Sequence, residues 1–430
     1  MLRTSPVMLP WTTLRLAGRF AVPLALWFTV GEVLRYLLFL AGYHFGLHNS
    51  VIPIIVLSLT VMVSLGVTAA MVHSVREGLP AVQAREVDER LTSWAAAEEE
   101  GILDAITRAL LPFMIFYLAW GWFADDAKEF VQSAAGRGTA QGGIFGATAG
   151  MKILIALQDH LWVAIICTVV FFAVKFVAER VVEPRWPGVG GVCIAFCEVN
   201  WTLFGIFTVD QVRGDVTGWI TGRVAWVDLG RSLGPVFGTF NTMWPLFKDA
   251  VLGSLVWLVI AGVILGVTAE EEAALGQGWL GRKVVFASGI DRPHTPREVL
   301  TRELRDKWLP AVYGLRMVFR AGMLPFGVFC ALFTGLEALV PVTERGVYYL
   351  LGPHELGWWQ PRLTMVEFPV ELVHQVLRVC LLAAAFDLVV GRVSARTAES
   401  GSARSSSPRP ARSLVPPAGP YSPPSPGRPS

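Results

Sequence analysis

Charged side chains are scarce in this sequence of 430 residues. Asp, Glu, Lys and Arg together make up 16% of it, and hydrophobic residues make up 53%, whereas soluble proteins average about 25% charged residues. This scarcity excludes intrinsic disorder for most of the length and argues against a soluble enzyme. The net charge of +2 gives no field that would attract nucleic acid. The composition therefore predicts a membrane protein, with the lipid bilayer as its main surroundings and partner.

Catalytic and metal-binding motifs are also missing from the sequence. It contains no P-loop, no dinucleotide-binding glycine fingerprint and no G-x-S-x-G nucleophile motif. His354-Glu355 begins an H-E-x-x-H pattern, but position 358 is Trp. All five cysteines lie in apolar runs, which is typical of packing residues. We therefore predict no catalytic residue, no cofactor and no metal site, which favours a non-enzymatic protein.

Eight apolar segments approach the length of about 20 residues that a membrane-crossing helix needs. They are 20–40, 51–72, 108–124, 161–179, 190–208, 249–268, 321–341 and 368–390. The third, fifth and eighth segments are weaker, because they are short or contain polar residues. The predicted fold is an all-α membrane protein, a bundle of about eight transmembrane helices over residues 20–393.

The distribution of basic residues predicts the orientation of these spans. If residues 1–19 are cytoplasmic, most of the 36 Lys and Arg residues fall on the inner side, as the positive-inside rule requires. Both termini are then cytoplasmic. The first apolar run is longer than that of a cleavable signal peptide. We therefore expect an uncleaved anchor in the plasma (inner) membrane.

The last segment of the chain, 394–430, is rich in Pro, Ser and Arg and has almost no large apolar side chains. Such a segment cannot bury enough surface to fold, so we predict a disordered cytoplasmic tail. Together with the inner loop 269–320, the tail is a candidate binding site for a cytoplasmic protein. The alternative is a tail that only increases solubility.

Two predicted spans begin with a similar sequence, which raises the question of an internal repeat. Arg108-Ala109 followed by Leu111-Pro112-Phe113 matches Arg320-Ala321 followed by Leu324-Pro325-Phe326. One explanation is a set of repeated two-span hairpins. The simpler explanation is an inner-side arginine followed by a proline in the first helical turn.

Ionisable residues within the predicted spans each cost at least about 2.5–3.5 kcal/mol at bilayer depth. Those that need an explanation are Glu32, Arg35, Glu198, Glu371, His374 and Arg378. On a structural interpretation, Glu32 pairs with Arg35 and Glu198 with Arg378. On a functional interpretation, these residues line a substrate or proton path between spans one, five and eight. Lys175 and Asp387 are expected to extend to the inner surface.

The outer side of the predicted bundle carries further acidic and imidazole groups. Asp125-Asp126 resembles the acidic pair of lipid-linked-sugar glycosyltransferases, a resemblance of two residues that would imply an envelope transferase. Five of the seven histidines also fall on the outer side, where a metal or proton-sensing site is conceivable. They are His44, His48, His160, His354 and His374.

The chain combines three compositional features, which are arginine-rich inner loops, tryptophan-rich segments such as 239–245 and the Pro/Ser/Arg tail. In this it resembles uncharacterised multi-spanning membrane proteins of high-GC actinobacteria. The resemblance implies a plasma-membrane location and no particular activity. From the sequence we expect a non-enzymatic scaffold or assembly partner first, a transporter or channel second, and a transferase third.

Overall fold

The computed structural model describes the chain in several stretches. They are residues 5–46, 52–84, 125–139, 161–182, 184–185, 190–191, 193–205, 242–244, 246–265, 322–359 and 362–405, with Phe113, Tyr117, Thr208, Gly238 and Val318. These stretches are almost entirely helical and contain no β-strand. Four helices within them are long and apolar enough to cross a membrane, namely Pro6–Gly46, Ile55–Gly78, Thr242–Ile264 and Met323–Leu351. The prediction of an all-α membrane protein is confirmed at this level.

The helices are numbered here in chain order. They are α1 (Leu9–Gly46), α2 (Ile52–Val75), α3 (125–139), α4 (Leu161–Val181), α5 (Cys193–Gly205), α6 (Ser254–Ile264), α7 (Met323–Leu351), α8 (Leu356–Trp359) and α9 (Leu363–Ser405). Helices α2 and α4 match the apolar segments 51–72 and 161–179 closely. The predicted span 108–124 and inner loop 269–320 lie outside the described residues, except for Phe113, Tyr117 and Val318, and most of the proposed repeat lies outside them too.

Two helices extend beyond the segments predicted for them. Helix α1 begins at Leu9, well before the predicted span 20–40. Helix α9 continues to Ser405, so residues 394–405 of the predicted disordered tail are helical. An established helix gains one hydrogen bond for each residue that it adds, which allows it to extend through a polar sequence. Residues 406–430 of the predicted tail lie outside the described residues.

The long helix α1 is bent near its beginning. Phe20 has non-helical dihedral angles (φ −109°, ψ 15°) inside the helix. Pro23 follows three residues later and has no N–H to donate to the carbonyl of Arg19, and its ring crowds that carbonyl. Proline therefore accounts for the bend.

The bundle has an inner and an outer set of helices. Helix α2 and the Thr242–Ile264 helix are mostly buried, whereas α1 and α7 expose most of their apolar surface. Helix α1 packs against α2 and α9, and α9 also contacts α2, α6 and α7. Exposed side chains such as Val22, Leu26 and Val30 form an apolar outer face on α1, as expected for contact with lipid.

Glycines allow the helices to approach closely at two central contacts. A Cβ atom at Gly31 of α1 would lie 2.8 Å from Cγ2 of Val67 on α2. A Cβ atom at Gly262 of α6 would lie 2.9 Å from the Phe386 ring on α9. Small residues at such crossings are characteristic of membrane helix packing.

Contacts between distant segments define the two ends of the bundle. At one end, Asp387 of α9 accepts hydrogen bonds from the backbone N–H groups of Ala81 (2.8 Å) and Val82 (3.2 Å); we refer to it as the Asp387 end. At the other end, Arg35 of α1 contacts α3, and we refer to it as the Arg35 end. Asp387 was expected to extend to the inner surface. It binds instead the helical turn that contains Ala81 and Val82, because unpaired N–H groups at the start of a helix need an acceptor.

Candidate functional site

Arg35 joins helix α1 to helix α3. Its Nη2 atom lies 2.5 Å from Oδ1 of Asp126 and also contacts the Glu129 carboxylate. The Tyr117 hydroxyl donates a hydrogen bond to the other oxygen of Asp126. The guanidinium also lies over the Phe39 ring, 5.5 Å from its centre. Arg35 therefore links α1 to a segment that lies 91 positions further along the chain.

Several carboxylates lie near Arg35. Those close enough to interact electrostatically are Glu32, Asp126, Glu129, Glu367 and Glu371, which we call the acidic cluster. They come from α1, α3 and α9. Glu32 lies near Arg35 as predicted, but the ion pairs that Arg35 makes are with Asp126 and Glu129. Among the residues that the structure describes, Arg35 is the basic group that acts on these carboxylates, and one guanidinium cannot neutralise all of them, so this part of the structure carries excess negative charge when they are ionised.

Glu129 shows the effect of this crowding. Its side chain is half-exposed, but the surrounding protein desolvates the carboxyl and raises its pKa to about 7. Asp126, Glu32 and Glu367 also raise this pKa by charge repulsion, and Arg35 opposes them. A proton therefore binds to Glu129 near neutral pH.

Helix α9 continues the polar residues from the acidic cluster into the bundle. Glu367, Glu371, His374 and Arg378 are spaced i, i+4, i+7 and i+11 and share one face. Glu337 of α7 meets this face deeper in the bundle. Its carboxylate lies 3.2 Å from Nε of Arg378 and 3.6 Å from Nε2 of His374. We call Glu337, His374 and Arg378 the deep cluster.

Aromatic rings enclose Arg378 within the deep cluster. Its guanidinium carbon lies 4.1 Å from the centre of the Trp257 ring on α6 and 5.6 Å from that of Phe333 on α7. The Arg378 side chain is only 18% exposed. Stacking on aromatic faces stabilises a poorly hydrated guanidinium. Arg378 thus joins its own helix, α9, to α6 and α7.

The predicted pairing of Glu198 with Arg378 is wrong. The Glu198 carboxylate of α5 lies 3.9 Å from Nζ of Lys175 on α4, and Lys175 is also 3.5 Å from Glu179. Lys175 was expected to extend to the surface, but it is buried. The reason is local: α4 and α5 pack through rings such as Phe171 on Phe204, which turns Lys175 towards Glu198.

Sequence reasoning missed Glu337 and Glu129. Glu337 lies inside the predicted span 321–341, so the same criterion that selected the other intramembrane charges could have found it. Glu129 lies between two predicted spans, and no spacing rule connects it to Arg35. Its contact with Arg35 arises only from the packing of α3 against α1.

The predicted acidic pair divides between two partners. Asp126 binds Arg35 and Tyr117, whereas Asp125 is exposed and lies 2.9 Å from Nζ of Lys128. The two carboxylates therefore do not converge on one point.

The histidines singled out from the sequence are dispersed. His354 stacks on the Trp358 ring with 4.0 Å between the ring centres, His374 belongs to the deep cluster, and His48 and His160 lie outside the described residues. Among the residues that the structure describes, no group of His, Cys, Asp and Glu is arranged to hold a metal ion.

Comparison with known protein families, curated proteins and solved structures finds no match to this chain. The candidate site therefore has to be interpreted from its own geometry.

Proposed function

We propose that this chain is a multi-pass protein of the plasma membrane that moves protons across it, alone or together with a solute. The observation that carries this proposal is the excess of carboxylates around Arg35, which a purely structural ion pair would not need. Intramembrane ionisable residues without full neutralisation commonly mark ion or proton pathways. In this proposal about eight helices span the membrane and both termini are cytoplasmic, so the Arg35 end faces the outside.

Proton flux in reconstituted vesicles tests this proposal. The full-length protein is reconstituted with a pH-sensitive dye inside, and a potassium gradient with valinomycin drives proton entry. We expect flux well above that of protein-free vesicles, and a loss of at least about tenfold in Glu371→Gln, because the amide cannot exchange protons. Glu355→Gln is the matched control, since Glu355 is exposed in the short loop after α7. Flux equal to that of protein-free vesicles would contradict the proposal.

A second candidate function is a non-enzymatic scaffold or assembly partner. The specific observation in its favour is that Arg35, Lys175 and Arg378 each have a carboxylate partner within the chain. Helix α9 also extends past Asp387 to Ser405, which supports a contact with a cytoplasmic protein through 394–430 and the loop 269–320. Crosslinking and pull-down of the full chain should be compared with chains ending at 405 and at 393. Capture that is retained at 405 and lost at 393 would assign the contact to the helical extension.

A further inference from the structure

The polar face of α9 has a defined depth in the membrane. The Tyr348 hydroxyl donates to Glu367 at 2.5 Å, and the Tyr348 ring packs on Trp359 with 5.5 Å between centres. Tyr and Trp gather at the membrane–water interface, so Glu367 lies at about that level. Eleven residues of helix then bring Arg378 about 16 Å deeper, which is roughly half of a hydrocarbon core of about 30 Å.

Accessibility changes abruptly along this face. Glu371 is exposed, and the His374 and Arg378 side chains are still 15% and 18% exposed, although the atoms through which they meet Glu337, Nε2 of His374 and Nε of Arg378, are buried. The next residues on the same face are Leu382, Ala385 and Val389, which are apolar and no more than 4% exposed. The polar and accessible part of the face therefore ends at Arg378.

From this arrangement we propose that the polar face of α9, which lies between its contacts with α1 and α7, is a water-accessible path for protons that opens at the Arg35 end and stops at Arg378. The carboxylate at its inner end is that of Glu337, which contacts Arg378 and His374. The inference rests on the proposed proton movement and specifies its route on one side of the membrane.

The charged groups around the path fit these roles. Glu371 faces Glu32 and Arg35 of α1, Glu129 of α3 and Glu367 of its own helix. Negative charge at an entrance raises the local concentration of protons and other cations. Protons are therefore concentrated at Glu371, the exposed carboxylate one turn of α9 before His374 of the deep cluster.

Arg378 has a different role in this path. A guanidinium stays charged under all physiological conditions and does not accept a proton. Positive charge fixed in a narrow pore repels protons, and the apolar residues beyond it exclude water. Arg378 therefore closes the path and, through its 3.2 Å contact, holds the Glu337 carboxylate in place.

Cysteine accessibility tests this route in the full-length protein. The native cysteines are replaced, and single cysteines are introduced as Glu371→Cys, His374→Cys, Glu337→Cys, Val373→Cys and Leu382→Cys. A water-soluble, membrane-impermeant methanethiosulfonate reagent is applied to vesicles of each orientation, because only a hydrated thiolate reacts quickly. His354→Cys, in an exposed position at the Arg35 end, identifies the side from which the path should open.

Val373 is the matched control for His374. It is the adjacent residue of α9 and is 58% exposed, but it lies about 100° around the helix, away from the polar face. We expect cysteines at 371, 374 and 337 to react from the His354 side at least about tenfold faster than those at 373 and 382. Equal rates at 374 and 373, or a rate at 382 equal to that at 374, would overturn the path.

Two further comparisons keep the result interpretable. Glu337→Cys probes the same point from another helix, so the test stands even if His374→Cys does not fold into a monodisperse species in detergent. Reaction at 374 without proton flux in the vesicle assay would support the path and contradict the proposed function. Flux without reaction at 374 and 337 would overturn the path and leave the function in place.

Discussion

Replacing Arg378 gives the clearest test of how the intramembrane charges are paired. Arg378→Met removes the ion pair with Glu337 and the stacking on Trp257. Breaking a buried ion pair costs about 3–5 kcal/mol, and a desolvated cation–π contact contributes about 2 kcal/mol. Glu337 is 38% exposed, so water that reaches it along the proposed path reduces the penalty for leaving it unpaired. We expect the free energy of unfolding to fall by about 3 kcal/mol.

The double-mutant cycle separates the two candidate partners of Arg378. Combining Arg378→Met with Glu337→Gln should cost about 1–2 kcal/mol less than the sum of the single changes, because the unpaired carboxylate is removed too. Combining Arg378→Met with Glu198→Gln should be additive to within about 0.5 kcal/mol, since Glu198 pairs with Lys175.

Stability can be measured by denaturing the detergent-solubilised protein with increasing mole fractions of SDS and following the far-UV circular dichroism. Both cycles use the same detergent, pH and salt concentration. Coupling between positions 378 and 198 that equals or exceeds the coupling between 378 and 337 would refute the pairing described here.

Three further predictions concern packing, pH and a helix start. Gly262→Val should lower the free energy of unfolding by about 1–3 kcal/mol, because its side chain would collide with Phe386; SDS denaturation measures this. The pKa of Glu129 is raised to about 7, so its contribution to stability is fully present below the ordinary pKa of 4.5 and is lost as the pH rises through 7. In Glu129→Gln this loss of stability should be absent, which a series of unfolding measurements at different pH values checks. Asp387→Ala should cost about 1 kcal/mol and accelerate amide hydrogen exchange at Ala81.

Each of these predictions has a control and an outcome that contradicts it. Gly335→Ala should be nearly neutral, since no described atom lies within 4 Å of a Cβ placed there; a loss as large as that of Gly262→Val would argue against the collision. For Glu129, Glu355→Gln should keep the pH dependence of the unaltered protein, and an unchanged profile in Glu129→Gln would contradict the assignment. Unchanged exchange at residue 81 in Asp387→Ala would show that the carboxylate does not stabilise that turn.

The sequence predicted the positions of helices better than the pairing of charges. The apolar segments 51–72 and 161–179 closely match α2 and α4, because the length of an apolar run directly reflects what a bilayer requires. The pairing depends on how each helix is rotated about its axis and on which helices are neighbours. The spacing of residues within one segment shows neither the rotation of a helix nor its neighbours, so Arg378 was assigned to Glu198 instead of Glu337.

The boundaries of α1 and α9 show a second limit. Both helices run beyond their apolar segments, because helical hydrogen bonding continues in polar sequence where nothing interrupts it. The sequence also did not predict which helices are neighbours in the bundle. The contact between α1 and α9 is the clearest example.

Helix α1 packs against α9, so two of the described helices that are more than 300 residues apart in sequence are neighbours. During synthesis, α1 enters the membrane hundreds of residues before α9 leaves the ribosome. Its α9-facing surface must then be covered by lipid or by insertion chaperones until α9 has been synthesised. A nascent chain arrested before residue 363 should therefore stay bound to the insertion machinery, and release should follow the arrival of α9.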